Sequence, residues 1–153
     1  MSLQISPIPV GYEAAIPMLA LHNAAEAIEF YQKAFGATEL SRLREASGKI
    51  AHAELQINSA KIMLADEYPG DNVSPQSLQG STVIIHLYVE DADAVVTQAL
   101  AAGAMLLSPV TDQFYGDRSG KIQDPFGHRW IIASHREDLS MGEIEQRFQT
   151  LGG

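Results

Sequence analysis

The stretch FYGDRSGKIQDPFGHRWIIASH, residues 114–135, gathers residue types that move protons and hold metal ions: His128, His135, Asp117, Asp124, Arg118, Arg129 and Tyr115. Histidines beside carboxylates are the raw material of general acid–base catalysis or of a metal centre. Spacing gives part of the stretch a structural purpose. Asp124-Pro125-Phe126-Gly127 has Asp first, Pro second and Gly fourth, the sequence of a type I turn between two strands, so Asp124 is expected as a turn acceptor rather than a catalyst. His128 and Arg129 then begin the returning strand near that turn, where a surface or structural role suffices, and His135 lies beyond the strand with less signal still. FYGDRSG differs. It is an aromatic, charged loop with two glycines, and such loops sit at cavity mouths and carry function. Tyr115 and Arg118 are therefore candidate ligand contacts, against the plainer possibility that Arg118 only fixes the loop through Asp117 or another ion pair.

Two further segments add polar candidates through strand alternation, in which successive side chains point to opposite sides of a sheet. In IAHAELQI, residues 50–57, one row is Ala51, Ala53, Leu55 and Ile57, which leaves Ile50, His52, Glu54 and Gln56 for the other face. In TVIIHLYV, residues 82–89, Val83, Ile85, Leu87 and Val89 form an aliphatic row suited to packing under helices, and the second row is Thr82, Ile84, His86 and Tyr88. His86 reads as either a ligand contact or a hydrogen-bonded core histidine, and His52 with Glu54 as either site residues or a surface pair. A His52–Glu54–His86 metal set has the right residue types, but nothing in the spacing brings their tips to one point.

The elements that must position these residues follow from the rest of the pattern. IPMLAL (16–21) reads as a strand, and NAAEAIEFYQKAFG (23–36) as a helix capped by Asn23 with Glu26 completing a capping box, a face of Ile28, Tyr31 and Phe35, and a left-handed stop at Gly36. TELSRLRE (38–45), KIAHAELQI (49–57) and KIMLAD (61–66) read as strands, the last two joined as a hairpin through Asn58-Ser59-Ala60. After a connector rich in Pro, Gly, Ser and Gln (67–81), the order restarts with TVIIHLYV and the helix DADAVVTQALAAG (91–103). A shift of 68 residues lays Ile16 on Ile84, Asn23 on Asp91, Ile28 on Val96 and Lys61-Ile62-Met63 on Arg129-Trp130-Ile131. The prediction is an α+β chain forming one domain over 1–153, with two βαβββ modules at about 12–66 and 82–135 enclosing a shared cavity. A short C-terminal helix over about 140–151 carries the capping pair Ser140 and Glu143 and an apolar face of Met141, Ile144, Phe148 and Leu151. A helix this short needs its own sheet or a second chain against that face.

The two-module order, together with AIEFYQKAFGA, LYVEDADAVVTQALAAGA and DQFYGDRSGKIQDPFGHRWIIASHRED, resembles the vicinal oxygen chelate superfamily of glyoxalases, bleomycin-resistance proteins and extradiol dioxygenases, and within it the PhnB-like branch. The likeness covers about residues 12–148. It implies paired βαβββ modules whose sheets curve as a half-barrel around a cavity, usually in a homodimer. It also implies that enzymes of the family hold a divalent ion through His, Gln or Glu on the first and last strands of each module. Matching the helix starts and the DPFG turn puts Ile16, Met63, Ile84 and Ile131 at those places. Three alkyl groups and a thioether cannot hold Mg²⁺, Fe²⁺, Ni²⁺ or Zn²⁺, and a slip of one residue supplies no ligand set.

Composition narrows the function further. The 153 residues include no cysteine, which removes disulfides, thiolate zinc and cysteine nucleophiles, and the net charge of −9 with scattered Lys and Arg argues against nucleic acid. No apolar run reaches the length of a membrane span, and the N-terminal sequence lacks an export signal, so a soluble, cytoplasmic protein is expected. An apolar floor of Ile16, Met18, Met63, Ile84 and Ile131 with His52, Glu54, His86 and Tyr88 around it suits a small organic ligand. The leading expectation is a homodimeric binding protein without metal or cofactor, sequestering or carrying such a molecule as the drug-resistance members of the family do. The alternative is a lyase or dioxygenase-type enzyme, either metal-dependent or using His86, His52 or Glu54 as general base, although no nucleophile elbow, phosphate loop or dinucleotide fingerprint is present.

Overall fold

A computed structural model describes residues 4–153. The first module runs β1 (Met18–Leu21), α1 (Ala24–Phe35), β2 (Thr38–Arg44), β3 (Ile50–Ile57) and β4 (Ala60–Asp66). The second runs β5 (Ile84–Tyr88), α3 (Ala92–Ala101), β6 (Met105–Asp112), β7 (Asp117–Gln123) and β8 (Arg129–His135). Between them the connector contains a single turn of helix, α2 (Pro75–Leu78), and α4 (Met141–Thr150) closes the chain. The strands form two open four-stranded sheets with identical order, β1-β4-β3-β2 and β5-β8-β7-β6, so the repeat inferred from caps and apolar positions is a repeat of topology.

The shift of 68 residues is visible in chemistry as well as in order. Asn23 accepts the backbone N–H of Glu26 at the start of α1, and Asp91 accepts that of Ala94 at the start of α3. Behind each cap, the last residue of the module's closing sheet strand, or the one before it, takes the next free helix donor. Asp66 accepts from Ala24 N at 2.8 Å and also from Ile50 N at 2.7 Å, and Ser134 accepts from Ala92 N at 2.9 Å while donating to Val89 O at 2.8 Å. Helix starts carry unpaired N–H groups, so each sheet ends by pinning its own helix.

α1 lies over the first sheet and α3 over the second, and the two helices touch, with Gln98 Nε2 donating to Lys33 O at 2.7 Å. The core is one continuous layer between helices and sheets. Leu55, Ile57, Ile62 and Leu64 enter it from the first sheet, and Leu87, Ile122, Trp130 and Ile132 from the second. The seam between modules is aromatic: the Trp130 ring packs on Phe35 at 4.7 Å and Tyr31 at 5.5 Å. Asp124, only 2% exposed, accepts from Tyr31 Oη at 2.6 Å, Trp130 Nε1 at 3.0 Å, and the N–H groups of Phe126 and His128 at 3.0 Å each. The DPFG turn forms as its sequence requires, with Gly127 N donating to Asp124 O at 3.1 Å and Gly127 at φ +92°. Asp124 thus serves the turn and also joins the modules.

Two expectations about strands need correction. Ile16 precedes β1 rather than lying on it, because pairing with β4 begins at Met18. Val83 is 61% exposed and outside β5, so the aliphatic row under the helices is carried by Ile85, Leu87 and Val89.

Candidate functional site

Opposite the helices each sheet presents an open face, and register fixes what stands on it. On the first sheet Met18 pairs with Met63, Met63 with Glu54 and Glu54 with Ser41. On the second, His86 pairs with Ile131, Ile131 with Lys121 and Lys121 with Ser108. These are equivalent rows of the repeat. From His52 onward the phase expected from alternation is the observed one, since Leu55 and Leu87 are buried under the helices while His52, Glu54, His86 and Tyr88 lie on the open faces. Ile50, expected on the open face, is instead buried in the core, because the ladder with β2 shifts register at the start of β3.

Register sets the neighbours of Ile16, Met63, Ile84 and Ile131, the positions that the family likeness matches to metal ligands. Met18, not Ile16, stands opposite Met63, and His86, not Ile84, stands opposite Ile131, because Ile84 pairs with Arg129. With these neighbours included, Ile16, Met18, Met63, Ile84, His86 and Ile131 offer one imidazole as the sole donor suited to a divalent ion. No group of three His, Asp or Glu side chains among the described residues could share an ion, so His52, Glu54 and His86 do not meet as a set. The residues present do not fit the metal that the fold implies.

Glu54 is instead held by the chain. The segment preceding β1 crosses the open face of the first sheet, and Tyr12 Oη donates to Glu54 Oε2 while His52 Nε2 donates to Glu54 Oε1 at 3.2 Å. The Tyr12 hydroxyl, then His52, pull the Glu54 carboxyl below its ordinary range, against a smaller opposing effect of burial. Lys61 Nζ reaches Gly11 O at 2.9 Å and lies 4.7 Å from the centre of the Tyr12 ring. Tyr12 gave no signal in the sequence because its partner is 42 residues away.

On the second sheet the His86 and Tyr88 rings stack at 4.9 Å and 21°. Tyr88 Oη donates to Asp117 Oδ2 at 2.6 Å, and His135 Nδ1 donates to Asp117 Oδ1 at 2.8 Å. The bond to Asp117, then burial and the charge of Asp117, push the Tyr88 phenol up to about 12, so it stays protonated and acts as a donor. Burial pushes Asp117 upward, but the bonds from Tyr88 and His135 outweigh it and leave the carboxyl below its usual range. His135 Nε2 also donates to Asp138 Oδ1 at 2.7 Å, and an imidazole with a carboxylate on each nitrogen is raised above the usual histidine range, the Asp117 bond contributing most. Asp117 and His135 were missed as a pair in the sequence, where they fall on different strands; a strand-pairing guess through the DPFG turn would have placed them opposite each other.

Arg118 does not reach a cavity mouth. It lies within β7 on the helix side, where its guanidinium takes both oxygens of Asp93 on α3 at 2.6 and 2.9 Å and Asp112 at 3.1 Å. This is the structural alternative, with Asp93 rather than Asp117 as partner. Tyr115 stays in the β6–β7 turn, edge-on to Phe114 at 5.1 Å. His128, half-buried, donates Nε2–H to Ala20 O at 2.9 Å across the module seam. The remaining apolar candidates separate. Met18 borders a cleft of about 420 Å³ beside the connector, whereas Ile16 and His86 border one of about 250 Å³ at the seam, and neither is lined by Met63 or Ile131.

The family model of the Glyoxalase/Bleomycin resistance protein/Dioxygenase superfamily matches this chain over residues 16–132, the span of both βαβββ modules. The chain belongs to that superfamily. Among its relatives, Uncharacterized protein Rv0887c of Mycobacterium tuberculosis is 42% identical over 148 residues, covering 94% of this chain and 87% of the relative. The structure of the Arabidopsis thaliana gene product At5g48480 superposes with a TM-score of 0.65 at 30% identity, covering 80% of this chain and 98% of that one. TioX from Micromonospora sp. ML1 superposes with a TM-score of 0.63 at 26% identity over 84% of this chain and all of its own.

Proposed function

We propose that this superfamily member is a metal-free binding protein for a small organic molecule, held on the open sheet faces of a homodimer, and that it is of the PhnB-like kind. The observation that supports the reading is that Ile16, Met63, Ile84 and Ile131, which the family likeness matches to metal ligands, are alkyl and thioether side chains, and that their ladder neighbours Met18 and His86 add one nitrogen. The general-base alternative is weakened by Glu54, whose carboxyl is pulled down by Tyr12 and His52 and is a poor proton acceptor at neutral pH. A shared superposition with a PhnB protein of Bacillus cereus, at a TM-score of 0.59 and 20% identity, reflects fold alone, and the PhnB-like assignment rests on the DQFYGDRSGKIQDPFGHRW sequence.

Native mass spectrometry with elemental analysis of gently purified protein tests the reading. The expected result is an organic adduct and substoichiometric Ni, Zn, Fe, Mn and Co. One tightly held ion per chain, removable only with loss of a measured activity, would defeat it.

A further inference from the structure

We propose that Lys121 and Arg129, on the open face of the second sheet, bind the anionic group of the ligand, which is therefore a flat organic carboxylate or phosphate. This rests on the binding-protein reading and goes beyond it by naming the ligand's chemistry.

The internal repeat supplies the comparison. Gln56 pairs with Lys61 on the first sheet as Gln123 pairs with Arg129 on the second. One step along, Glu54 beside Met63 is matched by Lys121 beside Ile131. The first sheet's polar ends are satisfied by its own chain, Glu54 by Tyr12 and Lys61 by the Gly11 carbonyl and the Tyr12 ring. Among the described residues the second sheet has no such strap. Among the described residues the charged ends of Lys121 and Arg129 form no ion pair, whereas Arg42, Arg118 and Arg147 each hold a carboxylate.

Among the described residues Lys33, Arg44, Lys49, Lys61 and Arg136 form no ion pair either, so what sets Lys121 and Arg129 apart is that they stand together on one sheet face. Lys121, half-buried, and Arg129, exposed, stand diagonally on adjacent strands β7 and β8, within reach of each other's long side chains, so like charges meet on this face. An oxyanion between them converts that repulsion into two charge-assisted hydrogen bonds. The surroundings suit the rest of such a ligand. Ile84 and Ile131 flank the pair, and the stacked His86 and Tyr88 rings offer a flat wall. Arg129 also borders a cleft of about 300 Å³ with Gln76, Gln79 and Gln123, whose amides donate hydrogen bonds, and no carboxylate lines it.

Calorimetric titration with three probes sharing one ring system decides the matter: naphthoate, naphthyl phosphate and the neutral naphthalenemethanol. Wild-type protein is expected to bind at least one anion about tenfold more tightly than the alcohol, and whichever anion is preferred distinguishes a carboxylate from a phosphate ligand. Lys121→Gln and Arg129→Gln should each weaken anion binding about fivefold or more and leave the alcohol unchanged, while Lys61→Gln, removing a cation already satisfied by the chain, leaves both unchanged. Matching near-ultraviolet dichroism confirms the fold of each variant. Equal binding of anion and alcohol, indifferent to all three substitutions, would overturn the anion site and leave the binding-protein reading standing. Failure of the protein to bind any of the three probes would overturn both.

Discussion

His135 shows how a residue with little sequence signal becomes a titrating joint once strands pair. Its two nitrogens donate to Asp117 and Asp138, so folding favours the imidazolium and lifts its pKa above the ordinary histidine value, the Asp117 bond contributing most. A group raised on folding contributes stability that is full below its unfolded pKa and is lost as pH rises through the folded value. Asp117 works in the opposite sense: its lowered carboxyl contributes above its unfolded pKa and fails as pH falls through the folded value. The stability difference between wild type and His135→Gln, followed by urea unfolding, should therefore be largest from about pH 5 to 6.5 and shrink at higher pH. A difference that stays constant from pH 5 to about 9 would mean that His135 packs without titrating.

At the scale of elements, each module is locked by the residue that lets its last strand hold the first turn of its helix. Asp66 serves two buried N–H groups, those of Ala24 and Ile50, and Ser134 serves one, that of Ala92. Asp66→Ala leaves both donors without their acceptor and is expected to cost about 2–4 kcal/mol, against about 1–2 kcal/mol for Ser134→Ala. Urea unfolding at neutral pH compares them, and equal losses would show that water replaces the second acceptance of Asp66. The β6–β7 turn is fixed differently. Gly116 has φ +101°, and a side chain there would come within 2.6 Å of Glu137 O, so the turn tolerates only glycine without moving the segment that leads to α4.

For the whole molecule, the uncovered apolar surface argues for a second copy. Met18, Ile84, Tyr88 and Met105 are exposed on the sheets, and α4 buries none of its residues. Phe148 rests on Phe114 at 5.4 Å, and Arg147 pairs with Glu137 at 3.1 Å, but Met141 and Leu151 are uncovered within the chain. Covering the stripe Met141, Ile144, Phe148 and Leu151 in a symmetric dimer would contribute on the order of 6 kcal/mol before entropy losses. Sedimentation at micromolar concentration is expected to give a dimer, and deletion of residues 140–153 to weaken it. A monomer whose deletion variant is equally stable would sink the proposal.

What the sequence determined by itself was local: helix caps at Asn23, Asp91 and Ser140, the DPFG turn, the alternation that puts His52, Glu54, His86 and Tyr88 on open faces, and the repeat that specifies two sheets. Each depends on residues within a few positions of one another, where backbone geometry leaves few choices. The tertiary structure decided what depends on register and on partners distant in the chain. A displacement of two residues along β1 and β5 replaces Ile16 and Ile84 with Met18 and His86 in the row opposite Met63 and Ile131. Only strand pairing sets that displacement, since a slip of two preserves the alternation that the sequence reveals. The same holds for Arg118, claimed by Asp93 from α3, for Glu54, claimed by Tyr12, and for Lys121 and Arg129, which no carboxylate of the described chain claims. The sequence names the charges, and the fold chooses which of them are satisfied within the chain.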